Sequence, residues 1–183
     1  MRCSINRSGK KCQRQLLVID VQNAMFNESN PIYEGESLLK NLQELINKAR
    51  TTNVPVFFVQ HNDEEFISGT HEWEIHSSII PKEGEIVIQK HTPDSFHETE
   101  LQEKLKSGQI QNLIVSGNQT EYCIDTTIRR AFSLGYRITL VKDAHRTWDS
   151  NILSAQQIID HHNEVLGNAF VTLKETKKMQ FLD

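Results

Sequence analysis

Short apolar runs alternate with amphipathic segments from Leu16 to Leu173. Six of these runs are rich in aliphatic, β-branched or aromatic residues, which is typical of buried strands. They cover residues 16–20, 54–60, 85–90, 112–117, 137–144 and 169–173. Strands that alternate with helices at this spacing indicate βαβ units and a mainly parallel sheet covered on both faces. The pattern therefore predicts a three-layer α/β/α domain.

The segments between the runs place apolar residues at helical spacing. Helices are predicted over 37–50, over 98–107, after the fourth strand as far as Gly135, and over 152–166. The apolar stripe of the third helix is formed by Ile124, Ile128, Ala131 and Phe132. Residues 61–84 have no clear period, so we expect a long loop there.

The composition agrees with one globular domain. The chain has 183 residues, of which 37% are hydrophobic and 24% are charged. Residues 1–14 are basic, contain no acidic residue and lack the apolar segment of a secretory signal. We therefore expect a poorly ordered N-terminal extension over 1–14 and a single domain over 15–183.

The charge and the cysteines narrow the class of protein. A formal net charge of −4 gives no support for binding nucleic acid, and no apolar run reaches the roughly 18 residues that span a membrane. The three cysteines, Cys3, Cys12 and Cys123, have no regular spacing. An odd, irregular set does not indicate a disulfide framework, so we expect a reducing compartment and a cytoplasmic location.

Three residues at the predicted strand ends carry the candidate chemistry. Strand one ends at Asp20, strand three ends at Lys90, and strand four leads through Gly117 to Cys123. Sites in open α/β sheets form outside the carboxyl ends of the strands, which brings these three side chains to one edge. Thr120 could cap the following helix, and the helix dipole with Lys90 would then stabilise a Cys123 thiolate.

Each of these residues also has a structural interpretation. A free cysteine is commonly a buried hydrophobic residue, and an aspartate at a strand end is often a turn residue. A lysine at a strand end is commonly solvated. The residues alone therefore leave catalysis and packing both open.

Three ordered motifs resemble those of the isochorismatase-like cysteine hydrolases, which include nicotinamidases and other amidases. The motifs are "LLVIDVQNAMF", "VIQKHTPDSFHETELQEKL" and "LIVSGNQTEYCIDTTIRRAFSLGY". The resemblance implies a triad of Asp20, Lys90 and Cys123, and a six-stranded sheet in the order 3-2-1-4-5-6. It also implies a cis peptide at Asn118–Gln119, an oxyanion hole formed by the N–H groups of Gln119 and Cys123, and a homo-oligomer, either a dimer or a tetramer.

The histidines depart from the metal-binding branch of this superfamily. Nicotinamidases carry a metal-binding Asp-x-His motif after strand two. This chain instead has His61 ahead of Asp63 at that place. His71 and His76 follow without a persuasive ligand spacing, so we predict no metal and no other cofactor. His161 and His162 are adjacent and point in different directions on a helix, which favours a packing or interface role.

The leading hypothesis is hydrolysis of a small amide through a Cys123 thioester. Hydrolysis of a vinyl ether, with Asp20 as proton donor, and a non-catalytic binding or redox-sensing role remain as alternatives. A dithiol redox role is disfavoured, because no second cysteine lies within the predicted fold. The candidate walls of the substrate pocket are Gln22, Phe26, Phe96, Tyr122 and Trp148.

Overall fold

A computed structural model describes residues 13–181 as a six-stranded parallel sheet in the order β3-β2-β1-β4-β5-β6. The strands are β1 (Gln13–Ile19), β2 (Val56–His61), β3 (Ile86–Lys90), β4 (Ile110–Asn118), β5 (Arg137–Arg146) and β6 (Thr172–Lys174). The predicted α/β/α class and strand order are both confirmed.

Four α-helices connect the strands within the described range. They are α1 (Gly35–Thr51), α2 (Leu101–Ser107), α3 (Asp125–Ser133) and α4 (Ala155–Ala169). The last helix begins three residues later than predicted, because Ser154 and Gln157 form a reciprocal capping box at its start. The long loop over 61–84 contains a short 3-10 helix, Ser77–Ile79, and Ile75 forms a bridge with Gln22.

The strand β1 lies in the middle of the sheet and alternates between two apolar clusters. Leu17 and Ile19 point into a cluster with residues of α2 and α3, whereas Leu16 and Val18 point into a cluster with residues of α1. Successive side chains of a strand point to opposite faces of the sheet, and here both faces are covered by apolar residues. Burial on both sides fixes the position of β1, and with it the position of the residue that follows Ile19.

The boundary at the N-terminus differs slightly from the prediction. The strand β1 begins at Gln13, so the last two residues of the predicted extension belong to the sheet. The rest of the extension, including Cys3 and Cys12, lies outside the described residues. Within residues 13–181, every helix is too short or too polar to cross a bilayer.

Candidate active site

The side chains of Asp20, Lys90 and Cys123 meet at the carboxyl edge of the sheet. The Lys90 Nζ lies 2.6 Å from the Asp20 Oδ2 and donates to the Cys123 Sγ at 3.3 Å. All three residues are buried. A carboxylate, an ammonium and a thiol in mutual contact form an arrangement suited to nucleophilic catalysis.

The end of β1 and the close packing of β4 direct the Asp20 side chain. Asp20 has a φ of 50°, which turns the chain out of the strand, and its N–H donates to the Val59 carbonyl at 2.9 Å. Gly117 of β4 pairs with Ile19 and has a φ of 119°. A side chain at Gly117 would overlap the Ile19 carbonyl oxygen, so glycine permits the two strands to approach here.

Cys123 lies in a π-helical turn, Thr120–Ile124, that precedes α3. The Ile124 N–H donates to the Gln119 carbonyl at 3.0 Å, which is the i to i−5 pattern of such a turn. The cysteine is therefore one turn ahead of α3 and not inside its first turn. The preceding peptide, Asn118–Gln119, is cis, as the resemblance implies.

The predicted capping role of Thr120 is wrong. Gln119 occupies the N-cap position and makes no side-chain cap, whereas the Thr120 hydroxyl lies 2.8 Å from the Nδ1 of His145. The Nε2 of His145 lies 3.1 Å from the Asn163 Oδ1. This chain of three side chains, of which Thr120 and His145 are buried, was not predicted from the sequence. Its only sequence signal is that Asn163 directly follows His161 and His162.

The environment of the thiol favours its protonated form. Burial, followed by the charge of Asp20, raises the pKa of Cys123 to about 12, and Lys90 opposes this shift. Burial also raises the pKa of Asp20 against the opposing effect of Lys90. The raised pKa disfavours the predicted thiolate at rest. One oxygen of the Asp20 carboxyl lies within 4.8 Å of the Cys123 sulfur, which makes Asp20 the candidate base for the thiol proton.

We expect the thiolate of Cys123 to be absent at neutral pH, which can be measured by its absorbance near 240 nm during a pH titration. A background with Cys3→Ser and Cys12→Ser isolates the signal of Cys123. The substitution Asp20→Asn should lower the pKa of the thiol, because it removes a negative charge and leaves Lys90 in place. A thiolate signal below about pH 8 in the background with Asp20 intact would contradict this assignment.

Three side chains at this edge are of the kinds that bind metal ions, namely those of Asp20, His61 and Cys123. One donor atom from each residue lies within 4.8 Å of the others. The ammonium of Lys90 lies among them and contacts all three, with the His61 Nδ1 at 2.7 Å. A metal ion bound by these residues would have to displace that ammonium.

The other candidate histidines have separate local roles. His71 is exposed, and the Asn23 amide donates to its carbonyl at 2.8 Å. His76 accepts from the Ser78 N–H at the start of the 3-10 helix. On α4, the His162 Nδ1 lies 2.8 Å from the Ile158 carbonyl, and its ring packs edge-on against that of His161.

Two of the predicted pocket walls are buried. Gln22 is fully buried, and its amide nitrogen donates to the carbonyls of His61 and Trp73 at 3.0 and 2.9 Å. Its amide oxygen accepts from the His61 N–H at 2.8 Å, so both ends of the amide are used by the backbone. Phe96 is buried in the core and stacks on Tyr136. These contacts support the fold, and contact of Gln22 or Phe96 with a substrate stays a prediction.

The remaining predicted walls are more accessible. Phe26 is half-buried and its ring centroid lies 4.7 Å from that of His76. Tyr122 is 55% exposed, on the same turn as the cysteine. Trp148 is half-buried, and its Nε1 donates to the Asn30 carbonyl at 3.0 Å. Contact of these three aromatic side chains with a substrate stays a prediction.

The comparison with known proteins agrees with this geometry. The sequence profile described as the Isochorismatase domain matches residues 14–171, which is most of the chain. The chain belongs to the isochorismatase family. Among its relatives in this family is the isochorismatase family protein YddQ of Bacillus subtilis, which is 36% identical over 172 residues, or 88% of this chain and 96% of the relative.

Two further similarities connect the family to a chemistry and a fold. Nicotinamidase 3 of Arabidopsis thaliana is 31% identical over 160 residues, which covers 76% of each chain. The crystal structure of an isochorismatase from Pseudomonas putida superposes with a TM-score of 0.87 and 28% identity, over 94% of this chain and 95% of that one. This protein is therefore an isochorismatase-family hydrolase with the fold of its family.

Proposed function

We propose that this isochorismatase-family hydrolase cleaves a carbon–nitrogen bond of a small amide through a thioester on Cys123. The observation that carries the proposal is the contact of the Lys90 ammonium with both the Asp20 carboxylate and the Cys123 sulfur in a buried site. The similarity to a nicotinamidase supports an amide as the substrate class.

In the first half of the reaction, the sulfur of Cys123 attacks the carbonyl carbon of the amide. The thiol proton passes to the Asp20 carboxylate as the sulfur–carbon bond forms, because the thiol is protonated at rest. The Lys90 ammonium balances the negative charge of the site. The tetrahedral intermediate then collapses, the carbon–nitrogen bond breaks, and Asp20 returns the proton to the leaving nitrogen. The products are an amine or ammonia and a thioester.

In the second half, water replaces the amine. The water oxygen bonds to the thioester carbon while Asp20 accepts a proton from that water. The carbon–sulfur bond then breaks. The sulfur then regains a proton from Asp20, and the carboxylic acid leaves. The net reaction consumes one amide and one water and releases one acid and one amine. The N–H groups of Gln119 and Cys123 would stabilise the oxyanion in both halves, as the resemblance implies.

A second candidate is hydrolysis of a vinyl ether. The direction of the Asp20 pKa shift favours it, since a raised pKa makes the carboxyl easier to protonate before it donates that proton to a carbon atom of the substrate. That reaction begins with proton transfer from Asp20 and needs no bond to sulfur. The two candidates therefore differ in their dependence on Cys123.

The test is a screen of small primary amides with the purified full-length chain, in which hydrolysis is measured as the release of ammonia. For each amide that is cleaved, the reaction is stopped with acid during turnover, and the mass of the intact protein is measured by mass spectrometry. We expect an adduct with the mass of the acyl group, which proteolysis places on Cys123. Turnover of an amide without any adduct on that cysteine, even when the acyl group is varied, would count against the thioester.

A further inference from the structure

The ammonium of Lys90 is surrounded by three acceptors. Its Nζ lies 2.6 Å from the Asp20 Oδ2, 2.7 Å from the His61 Nδ1 and 3.3 Å from the Cys123 Sγ. An ammonium group has three hydrogens to donate and no lone pair to accept. The ammonium is hydrogen-bonded to His61 and Cys123 and forms an ion pair with the Asp20 carboxylate. Two of these partners belong to the proposed mechanism, and His61 is the third.

We infer that His61 is a positioning residue of this reaction, which holds the Lys90 ammonium against Asp20 and Cys123, and that Asp63 fixes the ring of His61 for this task. The inference rests on the proposed function for its consequences in catalysis. The hydrogen-bond arrangement itself can be measured without a substrate.

The backbone places the His61 ring opposite the lysine. His61 is the last residue of β2 and pairs in register with Lys90, the last residue of β3. The buried amide of Gln22 holds both polar atoms of the His61 backbone, with the N–H at 2.8 Å and the carbonyl at 3.0 Å. Gln22 therefore contributes to the site through the position of His61.

The partners of His61 select one tautomer of its ring. Because the lysine can only donate, the His61 Nδ1 accepts, and the ring hydrogen must lie on Nε2. The Nε2 faces the Asp63 Oδ2 at 3.1 Å. The other oxygen of Asp63 accepts from the N–H groups of Glu65 and Phe66 at 2.8 and 2.9 Å. The carboxylate is thus held by the backbone, and it holds the ring in turn.

The charges around His61 favour its neutral form. The charged groups that face it are Lys90 on β3, Asp20 after β1 and Asp63 after β2. Burial and then the charge of Lys90 lower its pKa, whereas the two carboxylates oppose the shift. A protonated ring would place a hydrogen on Nδ1 against the ammonium. Acidification through the pKa of His61 should therefore displace Lys90 and reduce activity.

The first experiment is nitrogen-15 NMR of the full chain with labelled histidine. The signals of His61 are assigned by their loss in the variant His61→Gln. We expect an unprotonated Nδ1 and a protonated Nε2 near pH 7. The opposite tautomer, or a protonated Nδ1, would overturn the inference. Because this measurement needs no substrate, it decides the inference even if the amidase proposal fails.

The second experiment measures kcat/KM against pH with the amide identified by the screen. We expect His61→Ala to lower kcat/KM by about 10- to 100-fold, the usual loss when a supporting partner of an active group is removed. His61→Gln should recover part of this loss, since its amide oxygen can accept from Lys90. His71→Ala is the matched control, an exposed histidine of the same loop, and should behave as the wild type.

The variant Asp63→Asn separates positioning from a general loss of structure. It removes a charge that raises the pKa of His61, so the acid limb of the kcat/KM profile should move to lower pH. An acid limb that stays in place in Asp63→Asn, or wild-type activity of His61→Ala at every pH, would overturn the inference. If His61→Ala does not fold, Asp63→Asn and the NMR measurement decide.

Discussion

The substitution Cys123→Ala is expected to lower amide turnover by at least about 10⁴-fold, the scale of loss when a covalent nucleophile is removed. Without the sulfur no thioester forms, and Asp20 and Lys90 alone provide no equivalent bond to the carbonyl carbon. The measurement is kcat/KM for ammonia release. Cys12→Ser is the control of the same residue type, at a position outside the described residues, and should keep wild-type activity.

The variant Asp20→Asn tests the proton transfers of the same mechanism. With an amide, the loss should be about 10²- to 10⁴-fold, because the leaving nitrogen no longer receives a proton. With an activated ester such as a p-nitrophenyl ester, acylation measured as the burst of p-nitrophenol should lose less, because only the transfer of the thiol proton is impaired and the leaving group needs no proton. An equal loss of acylation with both substrates would contradict the assignment of Asp20 as the group that delivers the proton.

Two variants, Cys123→Ala and Asp20→Ala, distinguish the two candidate reactions. If Cys123→Ala retains full turnover on a vinyl ether while Asp20→Ala loses it, the ether reaction is correct and the thioester is not. Loss of amide turnover in both variants supports the thioester route. Both outcomes are read against a far-ultraviolet circular dichroism spectrum equal to that of the wild type.

The substitution Gly117→Ala is expected to destabilise the fold by more than about 4 kcal/mol, a loss that only a few structural defects produce. The added carbon would overlap the Ile19 carbonyl oxygen and lie 2.7 Å from the Ile19 nitrogen. Both atoms belong to the backbone of the central strand, which cannot move without disturbing two apolar clusters. The φ of 119° adds backbone strain for any residue with a side chain.

Gly135→Ala is the matched control for this prediction. Gly135 also has a positive φ, of 87°, but no atom lies within 4 Å of the added carbon. Gly135→Ala should lower the free energy of unfolding only through backbone strain, by about 1–2 kcal/mol. The free energy of unfolding in urea gives both values. Equal losses in the two variants would show that close packing of β4 on β1 is not what requires glycine at Gly117.

The fold and the meeting of the Asp20, Lys90 and Cys123 side chains could be predicted because both depend on local pattern and chain order. Apolar runs mark the ends of β1 and β3, and parallel strands bring those ends together, so Asp20 and Lys90 follow from the sequence. The contact between His61 and Lys90 depends on the register between β2 and β3. The apolar pattern of those strands does not specify that register, so the contact could not be predicted from the sequence.

Other contacts also depend on tertiary packing. Gln22 follows the aspartate motif, yet its amide is directed toward the backbone of β2 by contacts that no local pattern encodes. Phe96 belongs to the same apolar cluster as Cys123, and its contact with a substrate stays a prediction. The pKa of the thiol depends on its burial and on the nearby carboxylate, which outweigh the charge of Lys90.

The burial of the Cys123 thiol, which raises its pKa, also bears on how the protein reacts with oxidants. Peroxides react with thiolates and not with thiols, and the first product on cysteine is a sulfenic acid. A cysteine that holds its proton in the resting protein is a poor target for peroxide. Cys123 should therefore stay reduced under oxidative conditions that oxidise a cysteine with a standing thiolate.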